Sequence, residues 1–190
     1  MSRPPNTAVR LRPAARDATP LRRFLSLSVG PLAGVWVLML AAAPYLVSHD
    51  HTQGSVGLAS AAVYVAGGVV CHQQSARSFH PWGTQMPVCA RCSGLYALAP
   101  FGILLARGRG WHRADSATRA AWSGRSRWST GLLRIVLLVT AVPTLVTVGG
   151  ELMGLMHPTN LVRAVLAVPL GGSVAWVVGL ALSGAVHEAR

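Results

Sequence analysis

Apolar residues gather into five runs, 29–47, 56–70, 93–106, 132–156 and 161–182, separated by polar or basic stretches. The first run is almost wholly apolar and close to the ~20 residues that a helix needs to cross a bilayer, with Trp36 and Tyr45 placed as interfacial anchors. The second and third runs are short for a full span, so a tilted helix, a thinned membrane or a half-inserted element would accommodate them. Gly67 and Gly68 point to close helix packing in the second. Pro143 is a candidate kink in the fourth run, which also carries Glu151, and the fifth opens with Arg163. The pattern predicts an all-α, multi-pass transmembrane helical bundle with four or five hydrophobic segments and a Cys/His-rich loop.

The polar stretches divide the chain further. Residues 1–23 hold six arginines and four prolines, a composition expected to stay a disordered basic tail. Residues 24–54 form an N-terminal transmembrane helix and turn, 55–106 two short apolar segments flanking the loop, and 131–190 a C-terminal transmembrane hairpin. Between them 107–130 is a basic interfacial loop in which six arginines alternate with Trp111, Trp122 and Trp128. The first apolar run begins late and lacks a short cleavage pattern, so it is expected to be a retained helix rather than a cleaved signal.

Composition supports a membrane protein: 52% of the 190 residues are hydrophobic, 12% are charged, and the mean hydropathy is +0.44. All 17 basic residues are arginine and the formal charge is +12, yet no nucleic-acid-binding motif surrounds them. The expected partner is a bilayer with anionic headgroups, and no nucleic acid. The tail and the basic loop both ask to be cytoplasmic, but three apolar segments lie between them, and an odd number of crossings cannot satisfy both. Because the first helix usually dominates orientation, the favoured arrangement is a multi-pass protein of the cell membrane with a cytoplasmic N-terminus. If the third and fourth segments both cross, the cysteine loop and the turn from Glu151 to Arg163 share a membrane face.

Every cysteine lies in the stretch CHQQSARSFHPWGTQMPVCARCSG, from Cys71 to Gly94. Thiolates spaced as Cys89 and Cys92 can hold one cation from a tight turn, with Gly94 easing the backbone back toward the sulfurs. Cys71 and His72 supply the other half of a metal site. Zinc is the leading metal, with other transition metals as alternatives, because three sulfurs and one nitrogen close a structural zinc site. His80 and His157 are rival fourth ligands to His72. A competing expectation is a membrane thiol-disulfide oxidoreductase using Cys89 and Cys92, with the helix start and Arg91 lowering a thiol pKa. Unlinked buried thiols are the bland alternative.

Around the cluster, Arg77 can grip a phosphate or carboxylate or simply meet a lipid headgroup. Gln73 and Gln85 can orient the metal ligands or be ordinary loop residues, and His49 with His51 is too short a pattern for a second metal site. Glu151 within an apolar run costs on the order of 2.5–3.5 kcal/mol at a helix centre and less near an end, so it needs compensation. Arg163 is its natural partner and Asn160 a candidate helix cap. Together Arg77, Glu151, Asn160 and Arg163 form a candidate ligand site or structural polar site, which also motivates a small transport or lipid-handling protein as an alternative. Catalytic residues are not indicated.

These residues carry a resemblance. Cys71, His72 and Gln73, then Arg77, Ser78 and Phe79, then Pro87, Val88, Cys89, Ala90, Arg91, Cys92, Gly94 and Tyr96 resemble the signature of a family of prokaryotic membrane proteins, domain of unknown function 2085. Pro143, Glu151, Asn160, Arg163, Gly171 and Gly172 resemble its second hairpin more loosely, with Gly149, Gly150 and Glu151 standing where members often have Asp-Gly before Gln. The resemblance implies a few membrane helices and no established reaction. The first segment and the tail fall outside it.

Overall fold

The computed structural model describes residues 20–49, 54–111, 128–183 and 186–187. Most of the basic tail and most of the basic loop lie outside the described residues. Among the described residues six α-helices carry the chain: α1 (Pro20–Ser48), α2 (Gly54–Val70), α3 (Ala90–Ala97), α4 (Ala99–Trp111), α5 (Thr130–Leu152) and α6 (Asn160–Ser183). The multi-pass helical architecture is as expected. Three helices, over Leu27–Ser48, Thr130–Leu152 and Asn160–Leu182, are individually long and apolar enough to cross a membrane, and α2 is a shorter apolar helix. A two-residue parallel pairing of Trp128 with Val186 and Ser129 with His187 sits beside the start of α5.

The third apolar run is longer than its sequence promised. α3 and α4 are separated only by Leu98, so together they rise roughly 33 Å at 1.5 Å per residue. The helical path continues through Arg107 and Arg109 to Trp111, which the sequence placed in the basic loop.

Small residues decide how these helices approach. A methyl added at Gly94 or Gly171 would run into the backbone carbonyl of Ala164 or Leu95, and one at Gly102 into the carbonyl of Gly172. Such contacts let α3 and α4 lie against α6 with backbones touching, the usual basis of helix association in lipid. On its other side α6 meets α5 through Thr144 Oγ1, which donates to Leu166 O at 2.9 Å, and through the Thr140 and Ser173 hydroxyls, 2.8 Å apart. The surface turned outward is apolar: Leu38, Val65, Leu105, Leu138 and Val139 are each roughly two thirds exposed. That is the exterior a helix presents to lipid rather than to water.

The contacts also fix direction. Gly30 lies beside Ile103 and Arg107, Trp36 meets Tyr96 edge-on at 6.2 Å, and Tyr45 meets Trp82 at 5.3 Å, so α1 runs antiparallel to α3 and α4. α6 runs parallel to them and α5 antiparallel to α6. Cys71 at the end of α2, the start of α3, the end of α5 and the start of α6 therefore share one end of the bundle. The chain leaves α1 at that end and returns to it before α3, so α2 does not carry it across. The start of α1 and the end of α4 therefore both lie at the end opposite the cysteines.

Candidate metal centre and its buried ion cluster

A loop of 19 residues, 71–89, folds back along α2 to bring distant cysteines together. Two single-turn helices, Ser75–Arg77 and Pro81–Gly83, shape it, and Ser78 pairs with Cys89 as an isolated antiparallel bridge. Gln73 takes a positive φ of 48° so that its Nε2 reaches two carbonyls, Tyr64 O at 2.6 Å and Pro87 O at 2.7 Å. Gln85 Nε2 donates to Gln73 O at 2.6 Å, and Tyr64 Oη donates to Gln85 O at 2.6 Å. Both glutamines thus lash backbone to backbone rather than orient sulfur. Gly67 permits this, since a side chain there would meet the Pro87 carbonyl.

The result is a three-sulfur site. The Sγ atoms of Cys71, Cys89 and Cys92 all lie within 4.8 Å of one another. Cys71 is buried and the other two are partly exposed, over a small core of Leu40, Ala43, Val63 and Val88. Cys89 stands at the position just before α3 and Cys92 follows within its first turn, while the amide of Cys89 donates to Cys71 Sγ at 3.1 Å. A hydrogen bond from Cys92, aided by the amides of Cys92 and Arg91 and by Cys71, holds the Cys89 thiol down at about 5 despite burial. Its bond to Cys89, burial and the negative charge of its neighbours push Cys92 well up.

That asymmetry predicts how the metal-free thiols react. The thiolate is the nucleophile, so alkylation of Cys89 by iodoacetamide should already be near its plateau at about pH 6 and fall only as the pH approaches about 5. An ordinary thiol would still be gaining rate above about pH 8. Mass spectrometry of quenched samples would read this, and a rate for Cys89 that climbs through pH 8 as for a free thiol would contradict it.

Beside the sulfurs lies a buried ion cluster. Glu151, at the end of α5, has a side chain only 5% exposed. Its Oε1 accepts from Arg163 Nε at 2.8 Å, as the sequence predicted, and from Arg91 Nη2 at 2.7 Å, which it did not. Arg77 Nη2 lies 3.8 Å from Oε2. Asn160 Nδ2 donates to Ser78 O at 2.9 Å and its Oδ1 accepts from Arg163 Nη1 at 2.8 Å. Thr159, rather than Asn160, supplies the cap of α6, its Oγ1 accepting from the amide of Val162 at 3.4 Å. Arg91 stands between Cys89 and Cys92, so the two polar regions are joined, and the cysteine loop and the Glu151 to Arg163 turn do share an end of the bundle.

A family model described as predicted membrane protein (DUF2085) matches residues 71–177. The chain belongs to that family. The matched region of this family member begins at Cys71 and ends within α6, so it holds all three cysteines and the whole ion cluster and leaves out α1 and α2. An uncharacterized protein of Methanocaldococcus jannaschii is 32% identical over 71 residues, which are 37% of this chain and 46% of that protein. The chain therefore spans less than half the length of the curated relative it matches. No solved structure gives a significant match.

Of the four sequence-predicted metal ligands, the structure gathers three. His72 is exposed and stands outside the sulfur group, His80 Nε2 is 3.1 Å from Ser75 Oγ, and His157 is exposed. Among the described residues no histidine or carboxylate joins the three sulfurs. The donor set nevertheless fits a soft or borderline cation. Zinc bonded to sulfur at about 2.3 Å in a tetrahedron separates the sulfurs by about 3.8 Å, within the span seen. An amide donating to a sulfur is the outer contact that thiolate ligands usually receive. Arg91 is the functional residue the sequence under-read, because nothing in its local pattern distinguishes a charge that pairs with a residue 60 positions away.

Proposed function

We propose that this membrane protein holds one zinc-type ion on Cys71, Cys89 and Cys92, with a fourth coordination position not filled by a protein residue. The observation that carries this is the convergence of all three cysteines of the chain to within 4.8 Å. Bound there, the ion would tie the three thiolates together and leave one position for a small exogenous ligand to be polarised. The residues do the rest: Gln73 and Gln85 fix the loop, Gly94 lets α3 seat on α6, and Arg91 ties the site to Glu151.

The proposed orientation follows from charge. The tail and the 107–127 stretch each carry six arginines and attach at the end away from the cysteines, whereas the cysteine end carries, among the described residues, Arg77, Arg91 and Arg163. Lys and Arg bias sets cytoplasmic ends, so the N-terminus and the basic loop are cytoplasmic, against anionic headgroups of the cell membrane, and the sulfurs face the other compartment. There thiols are exposed to oxidants, which supports a second reading. A Cys89 thiolate attacks one sulfur of an external substrate disulfide, breaking that S–S bond, forming a mixed disulfide and releasing the substrate's other sulfur as a thiolate. Cys92 then displaces the substrate's reduced thiol, leaving a Cys89–Cys92 disulfide.

One preparation separates the two. Metal analysis of the full chain purified without chelator should give about one ion per chain, falling below about a tenth in Cys89→Ser. A metal-free wild type isolated with a Cys89–Cys92 disulfide would favour exchange, and a metal-free wild type with three free thiols would overturn both readings.

A further inference from the structure

Arg91 and Arg163 both donate to a single oxygen of Glu151, Oε1, at 2.7 and 2.8 Å. Oε2 is buried and accepts no hydrogen bond, and Arg91 Nε is buried and donates none. Three guanidiniums facing one carboxylate leave two positive charges in excess, although the Arg91 and Arg163 side chains are only 16% and 12% exposed. A clamp built only to hold helices would set a guanidinium fork across both carboxylate oxygens. It would also avoid burying cations without counter-charge. The arrangement instead lacks one donor, for Oε2, and one acceptor, for Arg91 Nε, together with negative charge.

A single chemical group meets all three needs. We propose that Arg77, Arg91 and Glu151 form a binding site for a tetrahedral oxyanion that carries a proton, hydrogenphosphate being the simplest. Its O–H donates to Glu151 Oε2 and its other oxygens accept from Arg91 Nε and the Arg77 guanidinium. Arg77 is about half exposed, lies on a single-turn helix of the loop, and touches Glu151 only at 3.8 Å, so it is the side chain that swings to admit the anion. Arg163 is a positioning residue, its Nη1 already engaged by Asn160, which in turn is pinned to Ser78 O. Inorganic phosphate and the singly protonated phosphomonoester headgroup of phosphatidic acid offer the same chemistry. The site does not require a metal at the cysteines.

The test uses the full chain in nanodiscs of zwitterionic lipid. Calorimetric titration with inorganic phosphate near neutral pH should show saturable binding, with sulfate at matched ionic strength about tenfold weaker or more, because it lacks the proton that Oε2 accepts. Arg77→Gln should weaken phosphate binding about tenfold or more while leaving the melting temperature of the ligand-free protein unchanged. If inorganic phosphate does not bind but replacing part of the lipid with phosphatidic acid raises the melting temperature of the wild type and not of Arg77→Gln, the site is assigned to the headgroup. Equal binding of phosphate and sulfate, full retention of binding in Arg77→Gln, or no response to either phosphate source would overturn the proposal.

Discussion

Replacing Glu151 with glutamine is expected to cost the protein about 3–5 kcal/mol of stability, the usual penalty for leaving a buried charge without its partner. Among the described residues Glu151 is the only carboxylate paired with Arg77, Arg91 and Arg163, so the substitution removes that counter-charge from all three at once. Arg163→Gln should cost less, because Arg91 and Arg77 still face the carboxylate. The contacts at stake join three parts of the chain: Arg91 belongs to α3, Glu151 to α5 and Arg163 to α6. Losing them loosens the α5–α6 hairpin and the seat of the cysteine loop together. Unfolding in detergent, followed by circular dichroism, measures both variants, and a Glu151→Gln protein within about 0.5 kcal/mol of wild type would contradict the assignment.

Gly171→Leu should be as damaging for a different reason. Even a methyl at Gly171 overlaps the carbonyl of Leu95, and backbone on both sides leaves no flexible side chain to yield. Overpacking costs about 1–3 kcal/mol where side chains can shift, so at this backbone contact a loss of at least about 3 kcal/mol is expected. The substitution pushes α3 off α6 and carries Cys89 and Cys92 away from Cys71. Metal content should fall with stability. Gly149→Ala is the control: nothing lies within 4 Å of its added methyl, and alanine favours helix by up to about 1 kcal/mol. Similar melting of the two variants would show that α3 does not need close approach to α6.

How far the chain could be read follows from which signals are local. The long apolar runs declared their helices because burial in lipid demands ~20 apolar residues in a row, and α1, α5 and α6 satisfy it. α3 and α4 did not announce a full crossing, since Cys92 and Gly94 at one end and Arg107 and Arg109 at the other dilute the apolar pattern. α2 was apolar throughout but short for a span, so its path was open. The return of Cys71 to the level of Cys89 is what places the end of α2 beside the start of α3.

At the site, the three cysteines were legible because their concentration in one loop is itself a signal, and Arg163 because Glu151 needed a partner nearby in sequence. The fourth ligand was not legible, since adjacency in sequence placed His72 beside Cys71 while the turn after α2 leaves its ring exposed. Gln73 was underestimated because its role depends on a positive φ that an L residue adopts only under tertiary constraint. Trp82, at φ 53° and packed on Tyr45, escaped notice for the same reason.

The central claim is that three sulfurs of this chain bind one zinc-type ion. X-ray absorption at the zinc edge of the purified, zinc-loaded full chain tests it most directly. The predicted first shell is three sulfurs at about 2.3 Å with one lighter oxygen or nitrogen atom at about 2.0–2.1 Å. A shell with one or no sulfur, or a spectrum unchanged by Cys71→Ser, would contradict it.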